Sequence, residues 1–378
     1  MNRIIKNYKW SCIAEFKFTF PIGFIFFLFA EITLFSQSQN KNVTVSKDGF
    51  YPVPVLFYLP NTGYAFGAAF LYYNNPDIDN PNRFPDIIGG FGTYSTKKQV
   101  QASIRVNRFF GNNDYRFDLE ISYFRTPDEF WGVGPDPGTK VKEEVTYDQY
   151  RIKIDFLTAV VKHFYIGPFY WFEKFDLSDY KPDGVIVKGG LLGALGVTTS
   201  GAGIEMILDY RDSLFFPTKG TFTDLKALFY SKAFGGDVNF FRLDLDARYY
   251  IELTKGHVLA LNTLFNSTAG NVPIQMLPKL GNHQMMRGYP MGKYLDKNLW
   301  AVQAEYRRPL FWRIGASAFL GVGQVFPEFS KFSVGDLKIA GGLGLRYMLD
   351  KEQHLNVRLD VAQSREGTYV YFTIQEAF

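Results

Sequence analysis

From about residue 50 onward the chain alternates with period two. In FRLDLDARYYIE, Phe241, Leu243, Leu245, Ala247, Tyr249 and Ile251 share one face. Arg242, Asp244, Asp246, Arg248 and Glu252 share the other, with Tyr250 the one aromatic among them. HLNVRLDVA repeats the scheme, Leu355, Val357, Leu359 and Val361 opposing Asn356, Arg358 and Asp360. Such alternation is the mark of β-strands with one apolar and one polar face. A soluble antiparallel sheet would bury the apolar face. A transmembrane barrel would turn that face to lipid and its polar face to a watery lumen.

Three features favour the barrel. The alternating runs are about ten residues long, enough for a tilted membrane span, whereas soluble strands average about five to six. Helix-period segments that could cover a large sheet are missing. The last residues, VYFTIQEAF, place Phe378 in phase with Val370, Phe372 and Ile374, so that an aromatic closes the last strand. The runs number sixteen, from 52–59 to 367–378, with fourteen as the alternative count because the NNPDIDNPNRFPD loop after the second run is long where a short one is expected. From the fifth strand on, connections alternate between long and short, as expected of a barrel with both termini on the periplasmic side.

Composition agrees. With 39 Phe and 24 Tyr the chain is 18% aromatic, yet its mean hydropathy is close to zero. The N-terminus carries Arg3, Lys6, Lys9 and Lys17 ahead of the apolar run FTFPIGFIFFLFA, and Ser36 and Ser38 have the spacing of a cleavage site. Residues 1–38 are therefore expected to be a cleaved signal peptide rather than a retained anchor, followed by a short periplasmic segment, 39–51, and a barrel, 52–378. The dozen or so residues QNKNVTVSKDGFY leave no room there for a folded periplasmic domain. The single cysteine, Cys12, lies in the signal, so no disulfide framework is expected. Losing four basic and two acidic residues with the signal would lower the net charge from +4 to about +2, too weak a bias to point to nucleic acid.

Little else carries chemistry. His163, His257, His283 and His354 fall at turns or in a loop without ligand-like spacing. No serine sits in a nucleophile elbow, and no Ser/His/Asp set shares a strand phase. No enzymatic activity, metal or cofactor is expected. Arg242/Asp244 and Arg358/Asp360 are inward pairs that read as solvated wall rather than as an ion path.

Several segments, in order, resemble the surface-antigen superfamily of outer-membrane barrels, the group of the BamA and TamA assembly factors and two-partner-secretion transporters. DYRDSLFFPTKGTF carries Asp209, Arg211, Asp212, Pro217 and Gly220 in the arrangement of that family's turn between strands eight and nine. MRGYPMGKY, with Arg287, Gly288 and Tyr289, resembles the family's arginine–glycine–aromatic signature between strands eleven and twelve. AVQAEYRRPLF resembles strand twelve, and GGLGLRY with NVRLDVA resembles the closing strands.

The resemblance implies a long loop folded into the lumen, its arginine held by acids of the inner wall. Glu305 has the inward phase and the matching place. A second family acid is missing: on strand thirteen Gly321 stands where an aspartate is usual, leaving Glu305 alone or with another inward acid, Asp360 or Asp246. The resemblance also implies a monomeric barrel among outer-membrane lipids, acting in biogenesis or translocation of outer-membrane proteins or lipids. A separate periplasmic partner or client polypeptides would be its partners. The alternative is a channel or structural barrel without clients.

Overall fold

The computed structural model describes residues 48–59, 63–74, 86–213, 216–350 and 355–378. The expected signal peptide, most of the 39–51 segment, most of the loop after the second strand, and His354 lie outside the described residues.

Sixteen strands form one antiparallel sheet, each paired with its neighbours in sequence. They are β1 (Asp48–Leu59), β2 (Gly63–Asn74), β3 (Asp86–Ser95), β4 (Val100–Phe110), β5 (Tyr115–Phe130), β6 (Glu143–Val161), β7 (Phe164–Asp179) and β8 (Gly196–Asp209). Then come β9 (Gly220–Tyr230), β10 (Phe240–Thr254), β11 (His257–Gly270), β12 (Asn298–Phe311), β13 (Ile314–Phe326), β14 (Lys338–Asp350), β15 (Leu355–Ser364) and β16 (Gly367–Ile374). β1 starts earlier than the alternation alone indicates, taking Asp48–Tyr51 out of the expected linker. Helix is confined to the single turn α1 (Val185–Lys188) and a few 3-10 turns among the described residues.

The two faces of the sheet are inverted relative to a soluble protein. On β10 the polar side chains pair with each other, Arg242 with Asp244 and Arg248 with Asp246, while Phe241 and Tyr249 stay exposed on the other face. Leu320, Leu343 and Val370 are likewise exposed, whereas Glu305, Arg307 and Asp360 are buried. Ionic groups inside and aliphatic groups outside make sense only where the surroundings are apolar.

The two ends of the sheet come into side-chain contact. Phe372 of β16 packs against Val55 and Ala65 of β1 and β2. Among the described residues no backbone ladder joins β1 to β16. One expectation fails here. β16 ends at Ile374, and Gln375 adopts φ +71°, which takes the following residues out of strand phase. Phe378 therefore does not continue the row of Val370 and Phe372; it turns inward and packs with Tyr250, Ala260 and Ala377. That contact also accounts for Tyr250, the aromatic on the polar face of β10.

Candidate functional site

The connection between β11 and β12, residues 271–297, does not leave the sheet. It doubles back through a two-residue ribbon, Lys279–Leu280 with Tyr294–Leu295, and lies against the polar face of β12–β15. Leu280, Met285, Met286, Tyr289 and Tyr294 form its own apolar cluster, together with Leu299, Ala301, Val325 and Ala340 from the wall. The Met-rich composition suits this irregular gap. At the tip Gly288 takes φ +108°, a conformation that costs glycine little. It brings the backbone close to the wall, where Gly288 N–H donates to the Tyr371 hydroxyl (2.9 Å) and its carbonyl accepts from Ser364 Oγ (2.5 Å).

Arg287 is wholly buried. Its Nη2 donates to Glu305 Oε2 and its Nη1 to Asp360 Oδ2, each at 2.5 Å. Its guanidinium carbon lies 3.5 Å from the centre of the Phe319 ring. Of the inward acids, Glu305 and Asp360, not Asp246, are the ones that Arg287 meets. Asp246 is engaged elsewhere, by Arg248 and by Asn262 (2.6 Å).

Three further arginines complete the cluster. Arg307 Nε donates to Glu305 Oε1 (2.8 Å), and Arg346 reaches Asp360 (2.6 Å), Glu376 (2.8 Å) and Glu305 (3.2 Å). Arg358 bonds Asp360 (2.9 Å) and the carbonyl of His283 (2.6 Å), so the wall holds the loop at a second point. Arg307 Nη2 also donates to the backbone oxygen of Phe378 (2.9 Å). Planar guanidinium groups bridging several carboxylates are the geometry in which arginine outperforms lysine. The pair Arg358/Asp360 is therefore not solvated wall. Removing one member of such a buried set typically costs about 3–5 kcal/mol.

Glycines make the room. A Cβ at Gly344 would collide with Asp360 Oδ1 and the Arg346 guanidinium, and one at Gly342 would collide with the Phe319 ring. At Gly321 a Cβ would lie 3.0 Å from Met286 Sδ. The thioether therefore lies where a side chain at this position would extend, and the second acid at Arg287 is Asp360 of β15.

Away from the tip, Tyr289 is buried and its hydroxyl donates to the Ile339 carbonyl (3.1 Å). Lys293 and Tyr294 both donate to Glu366, in the turn between β15 and β16. Burial alone would push the Glu366 carboxyl up; the bonds from Lys293 and Tyr294 outweigh it and hold the group below the usual carboxylate range. On the far side Gly134 N–H donates to the Leu295 carbonyl (2.8 Å).

The turn between β8 and β9 is a separate, structural unit. Arg211 makes a forked pair with Asp209 (2.9 and 2.7 Å) and stacks 4.4 Å over Phe222. Asp212 accepts from the backbone N–H groups of Thr218 (2.8 Å) and Lys219 (3.1 Å). Gly220 has φ +105°, and a Cβ there would run into the Tyr210 carbonyl. Pro217 is buried within the turn. Sequence reasoning found both motifs but missed Arg346 and Glu376 as members of the cluster. Arg346 was legible from its phase on β14; Glu376 was not, because the turn at Gln375 breaks the phase.

Residues 69–350 match the family model described as the Omp85 superfamily domain. The chain belongs to the Omp85 superfamily. Its fold is similar to that of BamA from Haemophilus ducreyi lacking POTRA domains 1–3, with TM-score 0.55 and 11% identity over 87% of this chain and 69% of that one. It is also similar to CdiB from Acinetobacter baumannii (TM-score 0.55, 11% identity, 87% and 60% covered) and CdiB from Escherichia coli (0.57, 11%, 88% and 63%). The chain thus spans less than two thirds of the length of the CdiB structures. No curated protein sequence matches it. At this identity the solved structures speak for the fold alone; the Omp85 domain makes the inverted sheet an outer-membrane β-barrel.

Proposed function

We propose that this Omp85 barrel acts in the assembly or translocation of other outer-membrane proteins or lipids, as a monomer exported with a cleaved signal peptide. Clients reach it with the help of a separate periplasmic partner. In this reading the loop 271–297 fills part of the lumen of a sixteen-stranded barrel, and Arg287 pins it. The observation that carries the reading is the junction of β1 and β16, where Phe372 meets Val55 and Ala65 without a described backbone ladder. Unpaired strand edges in lipid cost several kcal/mol per group, so such a junction is a template for an incoming strand. The buried cluster keeps β12–β15 and the loop rigid while the junction opens.

Depletion of the protein followed by outer-membrane proteomics and surface-lipid analysis tests this. Loss of other barrels or lipids is expected. It should be restored by the wild type but not by a form with Val55→Cys and Phe372→Cys joined by a short bis-maleimide. Unaltered levels on depletion would refute a role in biogenesis, and a steady open conductance in planar bilayers would replace it with a channel.

A further inference from the structure

On β13 the side chains of Leu320, Val322, Gln324 and Phe326 share the outward face, opposite Phe319 and its arginine. Leu320 is 59% exposed, as that face requires, yet Gln324 and Phe326 are 1% and 2% exposed. Residues 327–337, which join β13 to β14 through two 3-10 turns, Phe329–Lys331 and Val334–Asp336, pack on Phe326, and Gln324 lies opposite Trp300, which Phe332 meets. This segment folds down over the outer wall. The Phe329 ring lies 6.1 Å from Phe265 of β11, and the Phe332 ring 5.9 Å from Trp300 of β12. Both rings also touch Phe326, at 5.8 and 5.5 Å.

The segment does not bury its own apolar groups. Phe329 is 67% exposed and Val334 76%. They continue the outward apolar surface of Leu320, Ile339 and Leu343, which are 59%, 59% and 68% exposed. Beside Trp300, Gln324 Nε2 and Oε1 are both buried with no hydrogen-bond partner among the described residues. A buried carboxamide left in this state is costly. It calls for a partner that offers an acceptor and a donor side by side. The acyl linkage of a membrane lipid does so: its ester or amide carbonyl accepts from Nε2, and an adjacent hydroxyl or amide N–H donates to Oε1. Admitting it requires the rings of Phe329 and Phe332 to move apart from Phe326.

We propose that residues 327–337 form a lipid clasp: Phe329 and Val334 enter the acyl layer, and the Gln324 carboxamide beside Trp300 holds the acyl linkage of a bound lipid. The proposal rests on the outer-membrane reading above, and the test separates the two. In a Cys12→Ser background, nitroxides are attached at Phe329→Cys, Val334→Cys, Leu320→Cys and Lys140→Cys, and the protein is placed in phospholipid nanodiscs. Collision rates with oxygen and with a water-soluble nickel chelate are compared. Labels at 329 and 334 should behave like the label at 320, favouring oxygen, and unlike the label at 140. If 320 itself is aqueous, the membrane reading fails; if 320 is in lipid but 329 and 334 are aqueous, the clasp alone fails. Native mass spectrometry of detergent-purified protein supplies the second arm. Gln324→Leu should lower the retained lipid by about tenfold, the worth of one or two net hydrogen bonds. Equal retention would overturn the role of Gln324. The masses of the released lipids complete the test: a lipid with amide-linked or hydroxylated chains supplies the donor for Oε1, and a diacyl phospholipid, whose esters carry none, would overturn the assignment.

Discussion

Arg242 and Asp244 on β10, and Arg358 and Asp360 on β15, are the same pair at the same spacing on the same polar face. Their geometry is nearly identical, 2.7 and 2.9 Å. Their surroundings differ: the first pair is 13% and 17% exposed, the second 1% and 0%. Both pairs touch the loop 271–297: Arg242 donates to the Met276 carbonyl (2.9 Å), whereas the β15 pair lies beneath the loop's tip and shares its carboxylate with Arg287 and Arg346. The lesson is that strand spacing decides which charges meet. A segment distant in sequence decides whether the pair stays a partly buried local contact or joins a dry, shared cluster.

The comparison breaks most readily at Arg287. Arg287→Ala leaves Glu305 and Asp360 buried without their loop partner and should destabilise the barrel by about 3–5 kcal/mol. The folded, fast-migrating form on semi-native gels would then be lost at a lower temperature, and the loop would become open to protease. Glu305→Ala should do the same, and unchanged heat-modifiability in both would remove the anchor from the account. Gly344→Ala places a methyl group against Asp360 and Arg346, with an expected cost of about 1–3 kcal/mol, read as a smaller fall in the same transition. Asp244→Asn, at a pair that is less buried and shared with fewer charges, should cost about 1.5 kcal/mol; a loss comparable to that of Arg287→Ala would erase the distinction between the two walls.

The smallest effect concerns pH. The folded-state pKa of Glu366 is depressed. Its contribution is therefore complete above the ordinary glutamate value of about 4.3 and is lost as pH falls through the lower folded value. Limited proteolysis between Lys293 and Glu366 should increase below about pH 4 in the wild type. Glu366→Gln should remove that step while leaving the cluster around Arg287 intact.

Much of the fold was legible because period-two alternation is a local signal and neighbouring strands pair in sequence order. The boundaries of β3, Asp86–Ser95, follow directly from it. The loop's anchor at Glu305 was legible because phase on a strand fixes which way a side chain points. The other carboxylate was not: Asp360 and Asp246 are equal by phase, and only the path of the loop selects between them. The fate of Phe378 was hidden for a different reason. One left-handed residue, Gln375, ends the periodicity, and no pattern of apolar positions announces it.

The inward turn after β16 also bears on the order of folding. Hairpins between successive strands can form as local units, but the carboxylates around Arg287 come from far apart. Glu305 lies on β12, Asp360 on β15, and Glu376 beyond β16. The loop can therefore be fastened only after the later strands have been laid down and their trailing segment tucked in. Closing the cluster is a late step, and protease resistance of the loop is its readout: a chain that acquires it has completed its far wall.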